Sequence, residues 1–237
     1  MNVNWIARRT GVLDLGAGAM IAASSLTACS SHVTENPVAS APTSSVLAMP
    51  AAANFIADMP AGGGSAMTTM AVTVEGDNVV AYTTNGTNDE AYFFGTQKGG
   101  RMDLTSMYAD HLTASYDGAT IGGELTMNEN GATAQKFTAS RVAAPAGLYT
   151  AAEGNHRATW VVRPDRSTVG VMDNSAPGDH KVTDAINTQD KQFMDSVRQM
   201  RLNRQMQQAP KMTVGSREVA MGGATVAVVP VTGSMTF

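Results

Sequence analysis

From Thr68 onward, apolar and β-branched residues recur in short runs at roughly 8–12-residue spacing, separated by Gly, Asn and Asp. This pattern predicts strands over Thr69–Val74, Asn78–Tyr82, Glu90–Gly95, Arg101–Leu104, Leu112–Tyr116, Ala119–Met127, Gln135–Val142, Thr159–Val162 and Thr168–Met172. Between them lie Glu75-Gly76-Asp77-Asn78, Asn85-Gly86, Lys98-Gly99-Gly100, Asp117-Gly118 and Asn130-Gly131, residue types that tolerate the positive φ of tight turns. Around Ile121 the period of two puts Ile121, Leu125 and Met127 on one face and Thr120, Glu124 and Thr126 on the other, one face for a core and one for water. The period changes over 183–208. There Ile186, Phe193, Val197 and Met200 form the apolar stripe of an amphipathic helix, with Thr183 or Thr188 as its cap and Pro210 as its stop. Glu218–Met221 and Ala224–Val231, around Gly222-Gly223, predict strands that pair back into the sheet. The expected fold is mainly β, an antiparallel meander, sandwich or small barrel with one amphipathic helix in the C-terminal half, α+β in class and spanning 66–237.

The N-terminus follows a different logic. Arg8 and Arg9 precede a mostly apolar stretch from Gly11 to Ala28, the layout of an export signal over residues 1–28. Asp14 and several Gly and Ser make that stretch marginal for a permanent span, which needs about 20 predominantly apolar residues. Leu26-Thr27-Ala28-Cys29 resembles the lipobox of bacterial lipoproteins: an aliphatic residue, two small ones, then a cysteine whose thiol accepts the lipid. Cys29 is the one cysteine of the chain, and it is followed by polar Ser30 and Ser31 rather than by core-like neighbours. The resemblance implies a mature chain that begins at Cys29 with acyl chains on the thiol and on the new amino group. Two chains bind firmly where one is marginal, at about 0.8 kcal/mol per buried CH₂. The arginine pair also resembles a twin-arginine signal, but Gly11 stands where a bulky apolar residue is expected, so the pair reads as an ordinary basic segment.

Residues 29–65 are rich in Ser, Ala, Pro and Gly, including Pro37, Pro42, Pro50, Pro60 and Gly62-Gly63-Gly64. Such composition buries too little apolar surface to offset its ordering entropy, so the segment reads as a flexible tether spanning roughly 30–36 Å. Within it, Phe55, Ile56 and Met59 suggest one local helical turn over 51–59. Ser and Thr beside Pro resemble the glycosylated linkers of actinobacterial lipoproteins.

A second resemblance rests on the β region. Ala81-Tyr82, an Asn-Gly turn, Ala91-Tyr92-Phe93-Phe94-Gly95, Gly122-Gly123-Glu124-Leu125, Phe137-Thr138-Ala139 and Ala146-Gly147-Leu148-Tyr149 follow the order of motifs in a group of secreted actinobacterial proteins of unknown activity. Members often carry a cysteine after the first strand, where Thr83 and Thr84 stand here, so no disulfide is implied. The likeness implies a small exported β domain and no catalytic residue.

Composition narrows the chemistry. The 237 residues are 43% hydrophobic but only 15% charged, and the formal net charge is −4 without a block of basic residues, which disfavours nucleic acid as a partner. Loss of residues 1–28 removes Arg8, Arg9 and Asp14 and makes the rest more acidic, so attachment to anionic lipid falls to the acyl chains. His32, His111, His156 and His180 lack metal-ligand spacing, and no nucleophile elbow, phosphate loop or dinucleotide fingerprint occurs, so neither metal nor cofactor is expected. An Asp110-His111 relay to Ser115 meets the objection that strand neighbours point to opposite faces. Asp89-Glu90 reads as a turn pair rather than an acid/base couple. Arg198, Arg201 and Arg204 offer an anion or partner patch, against the plainer reading of a wet helix face with cations near its C-terminus. The 16 methionines read first as core filling and second as the lining of an adaptable greasy cleft.

These features together predict a lipoprotein at the outer face of the plasma membrane, anchored through Cys29 and acting as a non-enzymatic binding or scaffolding module. The alternative is a carrier holding a lipid or other apolar ligand in a β-domain pocket. The expected partners are the membrane and either another envelope protein or that apolar ligand.

Overall fold

The computed structural model describes residues 48–60, 67–175 and 191–237. The expected signal segment, the lipobox-like residues with Cys29, His32, His180 and residues 183–190 of the expected helix lie outside these.

Eight strands follow one another as an up-and-down meander: β1 (Ala52–Asp58), β2 (Thr69–Glu75), β3 (Asn78–Thr84), β4 (Glu90–Thr96), β5 (Arg101–Thr105), β6 (His111–Tyr116), β7 (Thr120–Thr126) and β8 (Gln135–Val142). All pairings are antiparallel, in the order β4-β3-β2-β1-β8-β7-β6-β5, so the first and last strands pair at the centre. The sheet curls into a nearly closed barrel whose seam lies between β4 and β5. There Gly95 lies so close to Leu104 that a Cβ on the glycine would come within 2.5 Å of Leu104 Cδ2. Alternate residues turn inward, and Phe55, Met70, Val72, Val79, Phe93, Leu112, Ile121, Leu125 and Phe137 pack as one buried cluster. Ile121 and Leu125 point in and Glu124 is exposed, as the alternation predicts.

A second sheet has the order β12-β11-β10-β9-β15, built from β9 (Gly147–Glu153), β10 (His156–Val162), β11 (Thr168–Asp173), β12 (Met206–Gln208) and β15 (Val229–Pro230). One face brings Leu148 and Val161 against Ile56, Ala71, Val80, Tyr82 and Tyr92 on the outside of the barrel. The other packs Trp160, Val162 and Met172 under Met212, Val219, Met221 and Val228. Val219 and Met221 belong to a hairpin of β13 (Glu218–Met221) and β14 (Ala224–Ala227). Trp160 Nε1 donates to the Pro210 carbonyl at 2.9 Å, so the large ring is buried with its polar edge satisfied. Helix α1 (Lys191–Leu202) follows the second sheet's β11 and precedes β12.

Several expectations change. β1 lies inside the stretch read as tether, and its Phe55 and Ile56, the supposed helical turn, insert into opposite faces of the barrel wall. The folded body therefore starts upstream of residue 66. The small residues of Ala-Ala-Ala-Asn masked the strand, because β1 gains its stability from neighbours on both sides and not from its own propensity. β9 is a strand that the apolar pattern does not predict, and Gly147–Glu153 pairs with β10 along its whole length. The helix ends at Leu202, well before Pro210, because residues 206–208 gain more by extending the edge of β11. The tail strand breaks at Val228: β14 pairs with β13, and only Val229–Pro230 returns to the second sheet, against β9.

Candidate functional site

Helix α1 lies across one end of the barrel, over the turns that join β3 to β4, β5 to β6 and β7 to β8. Arg198 and Arg201 on the helix, and Arg204 just past its end, make the contact. Arg201, only 6% exposed, donates from Nη1 to Asp110 Oδ1 at 2.6 Å and from Nη2 to Asp89 Oδ2 at 2.6 Å. Arg204 donates to Asp89 Oδ1 at 2.6 Å and lies over the Tyr108 ring at 4.6 Å. Arg198 donates to Asn128 Oδ1 at 2.9 Å, to the Asn128 carbonyl at 3.1 Å and to Asp195 at 2.6 Å. Burial alone would lower the Arg201 pKa; Asp110 and Asp89 more than reverse this and hold it above the ordinary arginine value. The wet helix face is thus corrected. Three-residue spacing puts Arg198 and Arg201 on one side of the helix, that side is the docked one, and Arg204 joins them from the turn that follows Leu202. The free positive charge that an anion patch requires is consumed by Asp89, Asp110 and Asp195. The pairs of Arg201 with Asp110 and Asp89 add little net stability compared with apolar packing, but they specify one seating of the helix, since any other leaves a buried charge alone.

A second polar cluster lies between the barrel and the second sheet. Glu90, 1% exposed, accepts from Arg157 Nη2 at 2.8 Å. Tyr92 Oη and Thr159 Oγ1 share a hydrogen bond of 2.6 Å, and the Arg157 guanidinium lies 5.4 Å from the Tyr92 ring centre and 5.6 Å from that of Phe237. Desolvation first, and the Glu90 charge second, raise both Tyr82 and Tyr92 far above the ordinary phenol range, so neither ionises in the folded state. Desolvation opposes the Arg157 charge, yet Glu90, Tyr92 and Asp173 raise its pKa above the usual arginine value. Sequence reasoning missed Glu90 and Arg157 as a pair, though each carried a signal: a charge placed directly against the apolar runs Ala91–Phe94 and Ala158–Val162.

The histidines and the imagined relay are separated by the fold. Asp110 is fully buried and bonds Ser106, Arg201 and the Asn128 amide. The carboxylate beside His111 is instead Asp103, at 2.7 Å on the exposed face. Ser115 lies two outward positions further along β6, across from Arg101 rather than beside His111. His156 Nδ1 contacts Asn174 Oδ1 at 2.6 Å. Among the described residues no group of three or more His, Cys, Asp or Glu is placed to hold a metal ion, and no helix is long and apolar enough to cross a membrane.

The surface of the described residues carries depressions, two of which bear on function. A groove of about 720 Å³ runs over β5, β6 and β7, with Arg101, Ser115 and Gly122 in one cross-strand row and Asp103, Thr113 and Glu124 in the next. Its charged groups are exposed and mixed in sign. The second, about 620 Å³, lies beside α1 and is lined by Asn85, Asn88, Glu129, Asn130 and Arg198 among others. Comparison of the chain with protein-family models, curated proteins and solved structures found no match.

Proposed function

We propose that this chain is an exported lipoprotein of the bacterial cell envelope, held at the outer face of the plasma membrane by acyl chains on Cys29, with its β body acting as a non-enzymatic binding or scaffolding module. The observation that carries the binding role is the division of polar groups. The buried charges Glu90, Asp110 and Arg201 and the half-buried Asp89 and Arg157 are committed to internal pairs, whereas the groove over β5–β7 presents Arg101, Asp103, Thr113 and Glu124 to solvent. Leu26-Thr27-Ala28-Cys29 supports the address. The carrier alternative needs enclosed space, and Phe55, Met70, Phe93 and Leu112 occupy the barrel interior.

The test has two arms. Mass spectrometry of protein extracted from host membranes should find a mature chain starting at Cys29 with fatty acid attached, and Cys29→Ser should leave the membrane fraction while staying folded. A start upstream of Cys29, or a bare thiol, overturns the anchor. A photo-crosslinking residue at Thr113 should capture one defined envelope partner in intact cells. Detergent-free protein that instead retains bound lipid would favour the carrier.

A further inference from the structure

Asn85-Gly86 and Asn130-Gly131 are chemically equivalent steps that the fold treats in opposite ways. Asn85 begins the β3–β4 turn. Its Oδ1 accepts from the backbone N–H groups of Thr87, Asn88 and Asp89 at 2.9, 3.0 and 3.0 Å, and its Nδ2 donates to Asn88 Oδ1 at 2.9 Å. The Gly86 N–H, the atom that would attack the side chain, donates to Thr84 Oγ1 at 2.9 Å. Asn130 lies exposed in the connection from β7 to β8. Among the described residues its side chain makes no hydrogen bond, and the Gly131 N–H donates to none of them. Gly131 has φ of +74°, and a Cβ built on it would meet nothing within 4 Å, so the turn beside Asn130 is uncrowded on that side.

We propose that Asn130 is a site of spontaneous, base-promoted deamidation and that the β3–β4 turn protects Asn85 from the same reaction. The Gly131 amide gives up its proton to solvent base and its nitrogen attacks Asn130 Cγ. The new N–C bond closes a succinimide, and the Cγ–Nδ2 bond breaks with nitrogen leaving as ammonia. Water then adds to one ring carbonyl to give aspartate, or to the other to give isoaspartate. The net change is amide plus water to acid plus ammonia, with no redox step. At Asn85 the same attack requires the loss of the Thr84 bond on the nucleophile and of the four bonds that hold the side chain. Each event at Asn130 places a carboxylate in the cleft beside α1, on the wall shared with Glu129 and Arg198. The cleft thereby becomes more acidic as the protein ages, independently of lipid anchoring.

The experiment holds the full chain at mildly alkaline pH, folded and in denaturing urea, and follows each Asn-Gly step by peptide mapping for acid and isoaspartate. In the folded protein conversion should be at least roughly tenfold faster at Asn130 than at Asn85, the factor that one net hydrogen bond of the Asn85 turn already sets. In urea the two rates should converge, and Asn130→Gln should abolish the folded-state signal. Equal rates in the folded chain, a faster Asn85, or an Asn130 that converts only in urea would each overturn the proposal.

Discussion

The two halves of the eight-stranded sheet share one interior and differ on their outer faces. On β1–β4 the outward residues Ile56, Ala71, Val80, Tyr82 and Tyr92 are buried under the second sheet. On β5 to β7, in the other half, Asp103, His111, Thr113, Ser115 and Glu124 occupy the corresponding face and are exposed. The strands record the difference in their own residues: Val79-Val80-Ala81-Tyr82 is apolar at successive positions, whereas Arg101-Met102-Asp103-Leu104-Thr105 alternates strictly. A strand covered on both faces reads as a continuous apolar run, and one covered on a single face reads with period two. Charge follows the same division. Where the covered half buries a charge it is paired, as Glu90 is with Arg157, while the open half keeps Arg101 and Glu124 in water.

The most severe way to break this contrast is Val80→Lys, which puts an unpaired charge at a position with no solvent exposure. It should cost at least about 4 kcal/mol, read as a fall in the urea midpoint. A loss under about 1 kcal/mol would mean that the second sheet does not seal this face. Next in size is Arg201→Ala, which strands the fully buried Asp110 beneath α1 and leaves Asp89 with Arg204 alone. The expected cost is about 3–5 kcal/mol, and Arg201→Met combined with Asp110→Asn should recover much of it, because the penalty belongs to the uncompensated charge.

Smaller still is an acid effect in the open half. Hydrogen bonds from the Thr120 and Ala119 amides and the Thr120 hydroxyl hold the Asp117 pKa below its ordinary value. A carboxylate depressed by folding contributes stability that is complete above the unfolded value, about 3.9, and that is lost as pH falls through the lower folded one. Asp117→Asn should therefore flatten the acid limb of a plot of melting temperature against pH; an unchanged limb would remove this contribution. The smallest effect belongs to Thr113→Lys on the exposed face. This position registers with Asp103 on one side and Glu124 on the other, so stability should stay within about 0.5 kcal/mol by urea titration.

Much of the strand order was legible in advance, and the reason is local. The turn chemistry of Gly76, Asn85-Gly86 and Asp117-Gly118 divides the chain into units short enough that apolar runs can only be strands. Gln135–Val142 matches its expected bounds, and Thr69–Val74 falls one residue short. β1 was illegible because its alanines say nothing by themselves; its partner residues lie in β2 and far downstream in β8. The site was harder to read. The period of Arg198, Arg201 and Arg204 is visible, but Asp89, Asp110 and Asn128, which meet them, come from turns scattered along the barrel.

Composition, turn residues and the alternation of side chains were enough to determine an antiparallel β body with one helix, since each depends on interactions between near neighbours in the chain. Which half of the barrel is covered, which face of the helix is wet, and which of two Asn-Gly steps is shielded were decided only when distant segments met. Burial and pairing are properties of the surroundings, and a residue's type does not specify what will be packed against it.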